Sequence, residues 1–255
     1  MSALTYLENR AKNAILSAAE ELSIATSIAT IKSRLNLYFK NELQEQLRFG
    51  SSTRGTILPR GSDPKSDIDY MVVFKDASLS PQTYLDKLKR FAEFHYSSSD
   101  IKQSSPSIVL EMGHISFDLV PATKTYFSYK IIDENKLWQD TSPNDFNKKL
   151  SDKNTAELFK IKPLIRLIKI WNAHNDYVYG SFLLEQWVVD QNYQSCQNLK
   201  DCLLRIFDLL APNTQTQWRN QRIQKAKDIV KEFRLYEQIE CPLLAEQEIQ
   251  KLIPK

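Results

Sequence analysis

The stretch Gly50–Phe74, GSSTRGTILPRGSDPKSDIDYMVVF, decides the fold because it joins a small-residue loop to an apolar segment that begins with two aspartates. The run DIDYMVVF is rich in β-branched and aromatic residues, which predicts a β-strand. Side chains alternate along a strand, so Asp67 and Asp69 point to one face with their Cα atoms about 6.5 Å apart. Two carboxylates at this spacing repel each other unless a cation lies between them. The pair therefore predicts a divalent-metal site.

A third carboxylate, Asp118, completes the predicted metal site. It lies in the segment ISFDLVPA, where apolar residues alternate onto the opposite face of a predicted strand. A charge inside so apolar a strand is costly unless it is paired or bound to a metal. Magnesium prefers carboxylate oxygens together with phosphate and water, and two ions about 3.5–4 Å apart can share such ligands. The sequence predicts two Mg²⁺ ions held by Asp67, Asp69 and Asp118, with Mn²⁺ as an alternative ion.

The loop before the strand predicts a phosphate-binding segment. Gly50 lets the backbone approach a phosphate closely, and the amides and hydroxyls of Ser51 and Ser52 can donate to it. Each part alone also fits a structural interpretation, since an Asp-x-Asp pair can be a solvated strand end and Asp118 can be a buried carboxylate that accepts backbone donors. The order of helix, Gly-Ser loop, Asp-x-Asp strand and later strand with one aspartate favours a metal and nucleotide site.

The remaining patterns predict helices around one sheet segment. Apolar residues recur at helical spacing in residues 3–22, 24–47, 81–94, 154–174 and in further segments up to residue 239, with Pro163 in a first turn or at a restart. Strands are predicted at residues 67–74, 107–111 and 115–120, with a hairpin turn at Met112-Gly113. The polar segment 140–154 is predicted to be a surface loop.

This order of elements predicts an α+β fold of two lobes. Residues 1–140 would form a lobe with a mixed sheet flanked by helices, including the long N-terminal helices. Residues 141–255 would form an all-helical lobe. The seam is placed in the polar segment that separates the last predicted strand from the helices.

Composition and charge restrict the class of protein. The chain has 255 residues, and 34 basic against 31 acidic side chains give a net charge of +3, too near neutral for a dedicated DNA-binding protein. Three cysteines fit neither a disulfide framework nor zinc spacing, which predicts reduced thiols. No segment resembles a signal peptide, and no uninterrupted apolar run approaches about 18 residues. The sequence therefore predicts a cytoplasmic protein with no membrane partner.

The motifs resemble a known superfamily. Gly50-Ser51, Asp67-Ile68-Asp69 and Asp118 resemble the signature of the polymerase-β-like nucleotidyltransferases. More narrowly, FGSSTRGTILP, SDIDYMVVF, FDLVPA, LIRLIKIWN and GSFLLEQWV resemble the bacterial cyclic-oligonucleotide synthases related to cyclic GMP–AMP synthase and oligoadenylate synthase, over about residues 20–190. The resemblance implies a two-lobed enzyme with its active site in the cleft. It also implies a cyclic messenger made from nucleoside triphosphates, with release of pyrophosphate, that acts on a downstream effector in antiphage defence.

The resemblance also implies roles for individual residues. Gly50 and Ser51 would hold the triphosphate, Asp67 and Asp69 both magnesium ions, and Asp118 the ion nearer the acceptor hydroxyl; Lys169 and Ser181 would reach the triphosphate, and Phe182 would stack on a base. Independently, Lys162, Arg166 and Lys169 share one helix face, so Arg166 joins the predicted nucleotide-binding residues. Phe182 has the alternative of a core position, because its segment is apolar at helical spacing.

Departures from the family pattern leave two further hypotheses open. The spacer between Ser51 and Asp67 is longer than usual, so Asp63 is interpreted as a loop cap or an unrelated carboxylate rather than a metal ligand. One alternative function is nucleotidyl transfer onto tRNA or a protein, which the near-neutral charge disfavours for tRNA. Another is a non-catalytic nucleotide sensor, which the presence of all three carboxylates disfavours.

Overall fold

The chain divides into two compact units. The computed structural model describes residues 2–104, 106–133, 135, 137–143, 145–212 and 216–255. One unit, here called the sheet unit, comprises Leu16–Arg60 and Lys65–Asn147; the other, the helical unit, comprises Met1–Ile15, Gly61–Pro64 and Lys148–Lys255. The predicted division at residues 140/141 differs from this one, because the first fifteen residues and the short segment 61–64 group with the C-terminal helices.

The sheet unit contains helices and strands that alternate up to its third helix, after which strands follow one another. Helix α1 (Ala3–Asn13) belongs to the helical unit, and the elements of the sheet unit are α2 (Ala18–Phe39), β1 (Leu43–Arg48), α3 (Ser51–Arg54), β2 (Asp67–Phe74), α4 (Pro81–His95), β3 (Ile101–Ser104), β4 (Ser107–Glu111), β5 (Ser116–Lys124), β6 (Tyr129–Ile132) and β7 (Trp138–Thr141). Across the described residues the strand order is β1-β2-β5-β4-β3, with β6 beside the end of β5 and β7 beside β6. The strands β2 and β5 run parallel, and the other pairs are antiparallel.

The two faces of the sheet differ in what they bury. One face of β2, with Ile68, Tyr70 and Val72, belongs to the large core shared with α2 and α4. The opposite face holds a small apolar cluster around Met71 and Val73. Because side chains alternate along a strand, Asp67 and Asp69 lie on this second face, away from the large core.

The predicted helix over residues 24–47 is wrong in its last part. Helix α2 begins with a capping box, in which Ser17 and Glu20 satisfy each other's backbone amides, and it ends at Phe39. Lys40 then takes a positive φ of 49°, and β1 pairs antiparallel with β2. The segment LQEQLR can alternate as a strand, and pairing with the edge of β2 satisfies its backbone groups, which outweighs the helical spacing of its leucines.

Other local predictions divide in the same way. The hairpin between β4 and β5 is confirmed, with Gly113 at φ 72° in its turn. The predicted surface loop at 140–154 is wrong, since α5 (Asp145–Ala156) occupies most of it and buries Leu150 completely. A single buried leucine in a polar segment gives too weak a periodic signal for a helix to be predicted.

The helical unit is built from amphipathic helices. Besides α1 and most of α5, its elements are α6 (Ile161–His174), α7 (Ser181–Asp190), α8 (Leu199–Leu209), α9 (Gln217–Gln238) and α10 (Pro242–Leu252). The helix predicted over 154–174 is wrong in its first part, since α5 ends at Ala156 and α6 begins at Ile161; Pro163 lies in the first turn after this restart. Helix α1 packs on α6, α8 and α10 and buries Leu7 and Ala11, which explains why the N-terminal residues group with this unit.

One apolar stretch meets a criterion for membrane spans. By length and composition the helical stretch Ala3–Glu42, with a mean hydropathy of 1.3 in its best window, could cross a membrane. This is weak evidence, because core helices meet the same criterion. Ser17 interrupts the stretch as the N-cap of α2, and Ile31 and Leu35 are fully buried in the sheet-unit core.

Candidate active site

The sheet places the three predicted carboxylates on one face. In the parallel register of β2 and β5, Asp69 lies beside Asp118, and Asp67 lies beside Ser116. Residues paired in register lie about 4.8 Å apart between neighbouring strands and point to the same side. Asp67, Asp69 and Asp118 therefore share one face at the amino-terminal half of both strands, and each is half-buried.

The loop at Gly50 approaches this face closely. Gly50 has φ +71° and ψ −155°, a combination that is essentially restricted to glycine. A Cβ built on Gly50 would lie 1.8 Å from Oδ2 of Asp69, so the backbone occupies space that no side chain could share. The amide of Phe49 also donates to the carbonyl of Asp69 at 3.0 Å. These contacts hold the Gly-Ser loop against the carboxylate face.

The two serines of the loop are held differently. Ser52 Oγ donates to the carbonyl of Phe49 at 3.1 Å, so its hydroxyl is engaged inside the loop. The carbonyl of Ser51 accepts from the amides of Thr56 and Ile57 at 3.1 and 3.2 Å. These bonds close the turn after Gly50 and fix the course of its backbone.

Asp118 is held by a residue that the sequence alone did not suggest. Ser107 Oγ, fully buried on β4, donates to Oδ2 of Asp118 at 2.9 Å. Burial raises the pKa of the Asp118 carboxyl, the bond from Ser107 opposes this rise, and the negative charge of Glu111 adds to it. Glu111 in turn pairs with Arg60 at 2.9 Å. Ser107 has no motif of its own and becomes visible only once β4 is placed beside β5.

The three carboxylates are suitable ligands for a divalent ion, but their side chains are not positioned to hold one in this structure. Carboxylate oxygens are the ligands that Mg²⁺ prefers, and three of them share a face. Within the part of the chain that the structure describes, however, no group of three or more His, Cys, Asp or Glu side chains is arranged to hold a metal ion. The Asp118 carboxylate instead accepts a hydrogen bond from Ser107 on β4, and β5 lies between β4 and β2 in the sheet.

The variant Asp118→Asn is expected to be more stable than the wild type near neutral pH in the absence of metal. A carboxyl whose folded-state pKa is raised stabilises the fold only while protonated. That contribution is complete below the unfolded-state pKa of about 3.9 and is lost as the pH rises through the folded-state value. Asparagine carries no charge at any of these pH values, so the advantage of the variant should vanish towards about pH 4. Urea unfolding in EDTA across this pH range measures it.

A matched variant at the partner of Asp118 tests the same contact, and its stability should change in the opposite direction. Ser107→Ala removes the donor that opposes the raised pKa of Asp118, so this variant should be less stable than the wild type at neutral pH. Each kcal/mol of difference shifts the midpoint of thermal unfolding by about 2–4 °C in a protein of this size. A destabilised Asp118→Asn protein at pH 7 would contradict the assigned burial cost.

The predicted residues of the helical unit have separate surroundings. Lys169 on α6 donates to Oε1 of Glu185 on α7 at 3.2 Å, and both side chains are buried. Glu185 is thus the partner that the sequence could not identify. Arg166, also buried, donates from Nε to the carbonyl of Ala11 on α1 at 3.0 Å, and burial lowers its pKa to about 10. Arg166 and Lys169, which were predicted to share one cationic face of α6, therefore interact with different helices: Arg166 with α1 and Lys169 with α7.

The start of α7 presents the last predicted residues. Ser181 is the first residue of α7, directly after its N-cap Gly180. The ring of Phe182 is 49% exposed, so the structure does not place it in the core, which was the alternative to base stacking. Asp63 accepts a hydrogen bond from the hydroxyl of Tyr177 at 2.6 Å and is buried within the helical unit.

Three comparisons relate the chain to known proteins. The family model described as the Second Messenger Oligonucleotide or Dinucleotide Synthetase domain matches residues 1–154. The probable cyclic nucleotide synthase IK1_05630 of Bacillus cereus (strain VD146) is 28% identical in an alignment over 151 residues, with coverage of 54% of this chain and 46% of the relative. The chain thus matches about half the length of this curated relative.

The solved structures show the fold. E. coli MS115-1 CdnC, solved with ATP, has a TM-score of 0.74 at 15% identity, covering 100% of this chain and 98% of that one. The CD-NTase CdnG of Bradyrhizobium diazoefficiens, solved in complex with GTP, has a TM-score of 0.70 at 12% identity, covering 97% of each chain. The predicted α+β nucleotidyltransferase fold, with a mixed sheet and a helical C-terminal part, is confirmed.

Proposed function

The chain belongs to the Second Messenger Oligonucleotide or Dinucleotide Synthetase family, and from this premise we propose that it is a magnesium-dependent nucleotidyltransferase. Its substrates would be nucleoside triphosphates and its product a cyclic di- or oligonucleotide, formed with release of pyrophosphate. The observation that carries the proposal is the strand register, which sets Asp69 beside Asp118 on the same sheet face as Asp67. The backbone of Gly50 closely approaches Asp69.

The carboxylates would hold the metal ions. Asp67 and Asp69 would ligate two Mg²⁺ ions, and Asp118 the one nearer the acceptor hydroxyl. When bound, the ions would lower the pKa of a ribose hydroxyl and neutralise the departing pyrophosphate. Ser107 would orient Asp118, because its buried hydroxyl is bonded to that carboxylate. Catalysis of this kind depends on positioning and electrostatics, since the protein forms no covalent bond to the nucleotide.

The loop and the helical unit would bind the nucleotide. The backbone conformation of Gly50 directs the loop so that Ser51 would face the outer phosphates, with Ser52 maintaining the turn. Lys169 would supply positive charge to the triphosphate, and the buried carboxylate of Glu185 would keep its ammonium group in place. Ser181 would donate to the same phosphates, and the half-exposed ring of Phe182 would stack on a base. The cyclic product would act in the cytoplasm on a downstream effector in antiphage defence.

A product assay tests the proposed function. Incubation with the four ribonucleoside triphosphates and Mg²⁺ should release pyrophosphate and leave a small product that resists phosphatase, because a cyclic nucleotide has no terminal phosphate. Chromatography with mass detection would identify it, and EDTA should abolish it. Label transferred to added tRNA or to a protein would support the alternative acceptors instead. Tight triphosphate binding with no turnover would support a sensor, and either of these results would overturn the synthase proposal.

A further inference from the structure

A groove in the helical unit has a composition suited to a ligand. It has a volume of about 530 Å³ and lies between α1, the turn from α5 to α6, the first half of α6 and the start of α8. Its apolar walls include Ile15, Leu158 and Phe159, and its cationic side chains are Lys12, Lys160 and Arg166. Pockets for small molecules commonly occupy about 300–1,000 Å³ and combine apolar walls with a few polar groups.

The turn that forms one wall is strained. Leu158 and Phe159 are consecutive residues with positive φ values of 53° and 62°, a conformation that is unfavourable for residues other than glycine. Their side chains are 77% and 66% exposed, so burial of these side chains does not repay the strain. The turn is closed by a backbone hydrogen bond despite this strain, since the amide of Phe159 donates to the carbonyl of Asn154 at 2.7 Å. Backbone strain of this kind concentrates at ligand-binding sites, where the position of a side chain matters more than the conformational preference of its backbone.

Two cations of the groove each donate to a backbone carbonyl. Nζ of Lys160 donates to the carbonyl of Cys196 at 2.8 Å, and Nε of Arg166 donates to the carbonyl of Ala11 at 3.0 Å. Among the described residues that line the groove, Glu8 is the acidic one against three cations. The groove therefore carries an excess of positive charge beside an apolar wall.

We propose that this groove binds a small amphipathic organic anion, with an apolar ring or acyl body against Leu158 and Phe159 and a carboxylate or phosphate near Lys12, Lys160 and Arg166. The site is a different one from that proposed for the triphosphate in the helical unit, because Lys169 on the same helix is turned to Glu185 of α7. In this proposal Arg166, which donates to α1, contributes positive charge to the groove, and its predicted role in nucleotide binding stays a prediction.

Binding of anilinonaphthalene sulfonate to the full chain tests the proposal. This probe joins an aromatic body to an anion, and its fluorescence should rise with saturable, one-site behaviour. Phe159→Gly should weaken binding at least ten-fold and yet leave thermal stability unchanged or higher, because glycine relieves the left-handed strain. Lys12→Glu, at an exposed position, should weaken binding several-fold. The neutral analogue phenylnaphthylamine should bind more weakly than the sulfonate.

A matched control and two competitors complete the experiment. Leu243→Ala alters a leucine that is 74% exposed outside the groove, and it should leave probe binding unchanged. Displacement by dodecanoate assigns an acyl body, and displacement by naphthoate assigns an aromatic one. Unchanged probe binding in Phe159→Gly would overturn the site, and equal binding of the neutral analogue would overturn the preference for an anion. These readouts do not depend on nucleotidyl transfer, so failure here is distinct from failure of the proposed enzyme.

Discussion

Replacing Asp67 and Asp69 together by asparagine is expected to abolish pyrophosphate release while the protein folds normally. The amide has nearly the shape of the carboxylate, and both positions lie half-buried outside the large core of the sheet unit, so packing should be preserved. The amide is a much poorer Mg²⁺ ligand, and loss of two ligands should reduce turnover by at least about 10³-fold. Release of labelled pyrophosphate from triphosphates in Mg²⁺ measures the effect, and circular dichroism with thermal unfolding measures the fold.

A single variant in the same unit provides the control. Asp86 on α4 is exposed and accepts a hydrogen bond from Gln82 at 2.8 Å, so Asp86→Asn makes the same chemical change away from the carboxylate face. Its pyrophosphate release should equal that of the wild type. Full activity in the Asp67→Asn, Asp69→Asn protein would show that these side chains do not hold the catalytic ions, and the proposed mechanism would fail with them.

The sequence predicts local geometry at this site better than it predicts contacts. That Asp67 and Asp69 share a face follows from strand alternation alone, and the charge of Asp118 inside an apolar strand adds the expectation that it joins them. The register that sets Asp69 beside Asp118 is a pairing between strands far apart in the chain, and no local pattern encodes it. Ser107 lies in no motif, and Glu185 lies in GSFLLEQWV without a predicted role, because each acts through a partner that only the folded chain brings near.

The errors in the fold have the same origin. The leucines of β1 recur at helical spacing, yet pairing with β2 turns the segment into a strand. The short strands β3, β6 and β7, of four residues each, carry too few alternations to be distinguished from loops. Arg166 and Lys169 are three residues apart on α6, but Arg166 donates to a carbonyl of α1 and Lys169 pairs with a carboxylate of α7. For β1 and for the two cations of α6, a neighbour distant in sequence decides the outcome.

Gly50→Ala is expected to reduce nucleotidyl transfer by at least about 10²-fold with only a moderate loss of stability. The new methyl group would lie 1.8 Å from Oδ2 and 2.7 Å from Cγ of Asp69, well inside contact distance, so either the loop or the carboxylate must move. Asp69 has a short side chain, and any rotation that clears the methyl group removes its oxygen from the shared face. Steady-state kinetics with labelled triphosphate, together with urea unfolding, separates the two effects.

Gly113→Ala is the control for a positive φ without the collision. Gly113 has φ +72° against +71° for Gly50, and nothing lies within 4 Å of a Cβ built on it. Gly50 combines its positive φ with a ψ of −155°, a region that is essentially restricted to glycine. Both variants should therefore lose stability, while only Gly50→Ala should lose activity. If the two variants were equally active, the close approach of the loop to Asp69 would have no part in catalysis. A loss confined to Gly50→Ala would show that nucleotidyl transfer requires glycine at this close approach.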